Sequence, residues 1–199
     1  MRTVLCLFIA VMFFFSALGQ ESAEEYYVLR KEQITIRGRT NINKFECRLD
    51  LAGYVMDTLQ IELTRVNGDF NFSGLTLNIP VRAFNCRYRL MTQEFRDLLR
   101  AGEFPFLNLN ITHVDHEVPN KMHMHASLAV AEKRKEELIQ DCYVENLGEE
   151  LLLGGNHTIY LRSYDLEPPR KFFGAVVVKN ELDISFEVIL TKKIKNEPH

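Results

Sequence analysis

The sequence has no tryptophan, and its 199 residues include only six prolines and ten glycines. That scarcity excludes a collagen-like or low-complexity chain. There is no basic excess: the formal net charge is −3, so the electrostatic footprint of a nucleic-acid binder is missing. Gly-x-Ser-x-Gly, His-Glu-x-x-His and a phosphate-binding glycine loop are all absent, and nothing points to hydrolase or nucleotide chemistry. Asp115 and Glu117 read as solvated loop carboxylates, and the expectation is a protein that is not an enzyme. The four cysteines form no Cys-x-x-Cys pair, which argues against a structural zinc site. Beyond the N-terminus no apolar run is long enough to cross a bilayer.

What is present begins with a leader. Arg2 precedes an apolar run through Leu5, Leu7, Ile9, Val11 and Phe13-Phe14-Phe15, then the small residues of Ala17-Leu18-Gly19. The run is short for a membrane span, which needs about 20 apolar residues. We therefore read residues 1–19 as a secretory signal peptide and expect a periplasmic or secreted mature chain. Removal of the leader takes Cys6 with it and leaves Cys47, Cys86 and Cys142. Export favours a disulfide. Three pairings exist on paper; Cys47 with Cys86 is favoured, since each follows a phenylalanine at the edge of a strand-like segment.

Most of the remaining chain alternates apolar and polar residues, the pattern of half-buried antiparallel strands. Leu59, Ile61 and Leu63 alternate with Gln60 and Glu62; Leu75, Leu77, Ile79 and Val81 repeat the pattern. It recurs at Leu107, Leu109 and Ile111, at Met122 to Val130, and at Leu182, Ile184, Phe186, Val188 and Leu190. Residues 33–38, 44–55, 135–145, 150–162 and 172–179 are further strand candidates. Pro80 belongs at an edge or a bulge. One helix is predicted from Met91, Phe95, Leu98 and Leu99, with Thr92 as N-cap and Gly102 as terminator. Residues 132–138 fit either a second short helix or a turn. Turn signals stand at Asn67-Gly68, Pro119-Asn120, Gly154-Gly155, Pro168-Pro169 and Asn180. The expectation is one mainly β domain over residues 26–192, with about eight to ten strands closing an antiparallel barrel.

Ile36-Arg37-Gly38-Arg39-Thr40-Asn41-Ile42-Asn43-Lys44-Phe45-Glu46-Cys47 resembles the opening motif of exported YceI-like proteins. Phe84-Asn85-Cys86, followed by Met91, Phe95, Leu98 and Glu103-Phe104-Pro105-Phe106-Leu107, is similar to that family's central strand–helix–strand passage. Tyr164-Asp165-Leu166-Glu167-Pro168-Pro169 with Phe173-Gly174 resembles its last hairpin. Ala131-Glu132-Lys133-Arg134 departs from the glycine-containing turn usual there. The resemblance implies a lipocalin-like barrel with an elongated apolar interior that binds a polyisoprenoid or an isoprenoid quinone. It supplies no catalytic residues and no required cofactor.

Leu77, Ile79, Leu109, Met124, Ile184, Phe186 and Val188, central in their strands, are the expected ligand lining. An apolar lining suits an apolar guest. The partner expected is thus an apolar lipid, with a second copy of the chain as a further candidate. Two other readings stay open. One is a filled barrel acting as an envelope interaction or stress module. The other is a metal-binding protein built on His113, His116, His123 and His125.

Overall fold

The computed structural model describes residues 25–52, 59–118 and 121–193. The signal-peptide reading of residues 1–19, the end of the 44–55 strand candidate and the Pro119-Asn120 turn lie outside the described residues. Among the described residues the fold is mainly antiparallel β, with one α-helix. The strands are β1 (Glu25–Thr40), β2 (Lys44–Leu49), β3 (Gln60–Val66), β4 (Asp69–Ser73), β5 (Thr76–Pro80), β6 (Phe84–Cys86) and β7 (Phe106–Val118). There follow β8 (Lys121–Val130), β9 (Lys133–Ile139), β10 (Asp141–Asn146), β11 (Glu150–Tyr160), β12 (Arg170–Lys171) and β13 (Val176–Lys193). The helix is α1 (Arg89–Leu98).

Thirteen strands exceed the eight to ten expected. Single candidates split: residues 135–145 divide at Gln140 into β9 and β10, and short β6 and β12 add pieces that alternation does not reveal. The hydrogen-bonded path runs β10-β11-β13-β1-β3-β4-β7-β8-β9. Its two ends, β9 and β10, are consecutive in the chain, yet the ladder does not close. β9 pairs only with β8, and β10 only with β11. Among the described residues the expected closed barrel is therefore a curled sheet: β9 and the second half of β11 form an unladdered seam, and β5 and β6 likewise share no ladder.

Two β-bulges set which residues face inward. Leu29 opposes Leu190 and Lys31 opposes Ile189, so Arg30 is an extra residue in β1. The parity change turns Glu32 inward together with buried Ile34 and Ile36. Thr112 is the extra residue of β7, since Ile111 opposes Ala126 and His113 opposes His125. Leu107, Leu109 and Ile111 are buried before it and Val114 after it, which leaves His113 and Asp115 on the other face. The core is a single apolar cluster that includes Ile61, Leu63, Leu77, Leu151, Leu153, Val188 and Leu190.

Several local expectations are corrected. α1 begins at Arg89, ahead of Thr92, so Thr92 does not cap it. Its hydroxyl instead accepts from Cys86 N at 3.0 Å and lies 3.2 Å from Tyr88 O, which ties the helix to β6. The helix ends at Leu98 with Leu99 as C-cap; Arg100, just beyond it, takes φ 55°, and Ala101 N bonds Arg96 O, so Gly102 is not the terminator. Residues 133–139 form β9, neither helix nor turn. Gly154 and Gly155 lie inside β11. They are small for packing: a Cβ on Gly154 would fall 2.3 Å from the Tyr143 hydroxyl, and one on Gly155 would fall 2.8 Å from the Asp141 carbonyl oxygen. Asn180 lies within β13, where its side-chain oxygen accepts from Arg162 N. Asn67 and Gly68, both at positive φ, form the turn between β3 and β4. Pro80 ends β5, where its missing N–H costs the ladder nothing.

Cys47 and Cys86 oppose each other across the β2–β6 pair, with Cα atoms 4.0 Å apart, and are joined by a disulfide. Cys142 is a free thiol. Burial pushes its pKa up to about 11.

A narrow apolar cavity and its polar seam

The strands leave a void of about 50 Å³ inside the curled sheet. Ile34, Ile36, Ile79, Leu107, Leu109, Leu128, Ile139, Ile184 and Phe186 line it, and only Glu137 and His157 add polar side chains. The exposed surface inside it is wholly apolar. A water molecule in the liquid takes about 30 Å³, and pockets for drug-sized ligands start near roughly 300 Å³. The void is a slot, and it is short of the elongated hollow expected from the sequence.

The expected lining residues divide accordingly. Ile79, Leu109, Ile184 and Phe186 border the slot. Leu77, Met124 and Val188 are fully buried in the packed core away from it. The residues that distinguish the site were missed. Glu137 is in register with inward Ile139 on β9, and His157 lies between inward Gly155 and Ile159 on β11. A polar residue on an otherwise apolar parity was the available signal. Alternation in β9 is blurred by its charged start, Lys133-Arg134-Lys135, which hides it.

Glu137 and His157 meet across the seam. His157 Nε2 stands 3.0 Å from Glu137 Oε2, and the Tyr164 hydroxyl donates to Glu137 Oε1 at 2.6 Å. Tyr164 sits in a short 3-10 turn, Leu161–Tyr164, directly after β11. It is 1% exposed. Burial first, then the hydrogen bond and charge of Glu137, pushes its pKa far above the usual phenol value. Where backbone pairing is absent, these side chains hold β9 to β11. Outside the seam lies a surface groove bordered by Leu138, Gln140, Asn156 and Thr158. His157 and Ile184 border both the groove and the slot.

Glu32 is a second inward carboxyl, 7% exposed, on the same face as slot-lining Ile34 and Ile36. Neither of its oxygens has a hydrogen-bond partner, and burial raises its pKa to about 7.

Three of the four candidate histidines, His113, His123 and His125, gather on one strand face. Asp115 is the hub: His125 Nε2 lies 2.8 Å from its carboxylate, His123 Nδ1 3.6 Å and His113 Nε2 3.8 Å. His113 Nδ1 is taken up by Asn71 at 2.8 Å, and His116 turns to Asp69. Their nitrogens are thus spent on carboxylate and amide neighbours. Among the described residues no three His, Cys, Asp or Glu side chains form a group that could hold a metal ion.

No family profile matches the sequence, and no curated relative is found by sequence comparison. Solved structures do match in three dimensions. BcnA of Burkholderia cenocepacia is 13% identical with a TM-score of 0.53, over 79% of this chain and 95% of its own. A polyisoprenoid-binding domain of Saccharophagus degradans, implicated in plant cell wall breakdown, is 13% identical with a TM-score of 0.55, over 86% and 100%. The chain has the YceI-like fold. A variant of a Campylobacter jejuni YceI protein also matches, at 10% identity and a TM-score of 0.52, over 68% of this chain and 81% of its own. In this YceI-like chain, none of the described helices is long and apolar enough to cross a membrane.

Proposed function

We propose that this chain is an exported binder and carrier of a slender apolar lipid, of the polyisoprenoid or isoprenoid-quinone class, held inside the barrel. It acts in the periplasm or outside the cell, without a catalytic residue or a required cofactor. The observation that carries the reading is the slot inside the curled sheet, lined by aliphatic and aromatic side chains with Glu137 and His157 at its edge. A hydrocarbon chain is the guest such a lining favours, since each ~100 Å² of apolar surface removed from water yields about 2.5 kcal/mol before ordering costs. The polyisoprenoid-binding fold neighbour supports the same class of guest.

The slot at about 50 Å³ is too small for a whole chain, so the guest displaces lining side chains and widens the sheet. The seam is one place where widening breaks no backbone ladder. The small volume also favours a second reading, a filled barrel acting through its outer surface. Lipid extraction and mass spectrometry of protein purified from its native host separates the two. The carrier reading predicts a long-chain lipid near one per protein; repeated preparations without any lipid leave only the filled-barrel module.

A further inference from the structure

The four most exposed large apolar side chains among the described residues are Phe173, Ile42, Leu90 and Tyr88. They gather toward one end of the sheet, where β1 finishes and β2 and β13 begin. Ile42 stands in the β1–β2 turn. Asn41 beside it clips that turn to the chain just after Phe173: its Nδ2 donates to Ala175 O at 2.8 Å, and its Oδ1 accepts from Val177 N at 2.9 Å. Tyr88, directly ahead of α1, borders one groove with Asn43 and Lys44. Leu90 follows in the first turn of α1. Apolar residues scattered singly over a surface need no explanation; a gathering does. Phe173 adds a second sign. It takes φ 56° and ψ 28°, the left-handed region that a bulky side chain rarely adopts, with its ring in solvent. Strain that serves no packing points to function.

Cations are interleaved with these residues. Arg39 and Lys44 flank Ile42, Arg87 and Arg89 bracket Tyr88, and Arg170 precedes Phe173; all five are exposed. The Arg87 guanidinium lies over the Tyr88 ring at 5.5 Å. Two surface grooves meet at Arg87. Arg82, Arg87, Arg89 and Arg96 border one, whose carboxylate is Asp97. Arg37, Arg39, Lys44 and Arg48 border the other, with Glu46, Asp50 and Asp183. Eight cations thus stand against four carboxylates, and a fifth, Glu181, lies 3.9 Å from Arg39. The surplus is positive on a chain whose formal net charge is −3.

That mixture selects the occupant. The core of a protein–protein interface is depleted of charge. Here every exposed apolar residue has a cation beside it in sequence. A lipid headgroup layer accepts both at once: apolar and aromatic side chains enter the acyl boundary, and Lys and Arg meet phosphates.

We propose that this end of the barrel docks on an anionic phospholipid bilayer, with Phe173, Ile42, Tyr88 and Leu90 entering the interface and the arginines of the two grooves holding headgroup phosphates. The proposal goes beyond the carrier reading and stands whatever the slot holds.

The test floats protein purified from its native host with vesicles of phosphatidylcholine, alone or with about 40% phosphatidylglycerol. Binding to the anionic vesicles is expected to be at least about tenfold tighter, and to weaken as salt rises from about 0.1 M to about 1 M and the screening length shrinks. Two variants address separate segments, each checked for folding by its thermal transition. Ile42→Ser with Phe173→Asn removes the apolar pair, and asparagine tolerates the left-handed backbone. Arg87→Gln with Arg89→Glu reverses the charge, and a carboxylate suits the first turn of a helix. Each is expected to lose about fivefold or more of the anionic binding. Leu147→Ser, at the opposite end of the strands, is expected to bind as the parent does. Equal binding to both vesicles, binding to neither, or binding that both variants retain overturns the proposal. A loss as large with Leu147→Ser overturns it too. So does a dimer that Phe173→Asn dissolves while vesicle binding persists, which would make a second copy the occupant. The lipid content of the same preparations reads the carrier proposal separately.

Discussion

The Tyr164 hydroxyl donates to Glu137 Oε1 at 2.6 Å from a position that is almost completely buried. The bond links the turn after β11 to β9, across a seam that no ladder closes among the described residues. Tyr164→Phe removes the donor and leaves a part-buried carboxylate oxygen short of a partner. The expected loss is about 1.5–3 kcal/mol, as for hydrogen bonds to charged groups. Urea unfolding of the variant against the parent chain measures it. Hydrogen exchange should show faster opening in β9 and β11 than in β1 and β13.

Glu32 gives the protein a pH response. Its pKa rises from 4.5 to about 7 through burial. The folded state therefore keeps a proton that the unfolded state releases, and stability falls as pH rises from about 4.5 through about 7. The cost is complete by about pH 8 and amounts to about 3 kcal/mol. Thermal melts from pH 5 to pH 8 check this. Glu32→Gln should flatten that interval and be the more stable protein at pH 8. A profile unchanged by the substitution would remove Glu32 as its cause.

The Cys47–Cys86 disulfide joins residues 39 apart in sequence and fixes β2 to β6, on which α1 packs. The Phe84 and Phe95 rings meet edge to face there, with centroids 5.5 Å apart. Replacing both cysteines by alanine should cost about 2–4 kcal/mol. Equilibrium unfolding under non-reducing conditions reads the difference.

Cys142 should be slow to alkylate. Its thiol approaches the Met122 carbonyl at 3.3 Å, and a pKa of about 11 leaves little thiolate at pH 8. Iodoacetamide should label it in urea and far more slowly in buffer. Equal rates would place β10 away from β8.

Strand alternation made the β class and the helical segment legible, because half-buried strands must place apolar residues with period two. The positions of the bulges were not legible. Arg30 and Thr112 each add one residue, and each flips every face after it, so Glu32 turns in and Asp115 turns toward the histidines. Gly154 and Gly155 look like turn residues, yet within a strand they make room for the Tyr143 ring and the Asp141 carbonyl. Central position in a strand did not identify the slot either. Leu77 and Val188 are as central as Leu109 and Phe186, and only the packing of neighbouring strands separates core from lining. The seam depends on which strands fail to pair, a property of the whole sheet with no local sequence signature.

A polyprenol carrying a diazirine on its chain tests the central claim most directly. After irradiation and digestion, the account predicts cross-links on slot-lining residues such as Ile36, Leu109 and Phe186. Cross-links confined to exposed positions such as Tyr88 and Leu90 would contradict it, because the lipid would then be meeting the outside of a filled barrel.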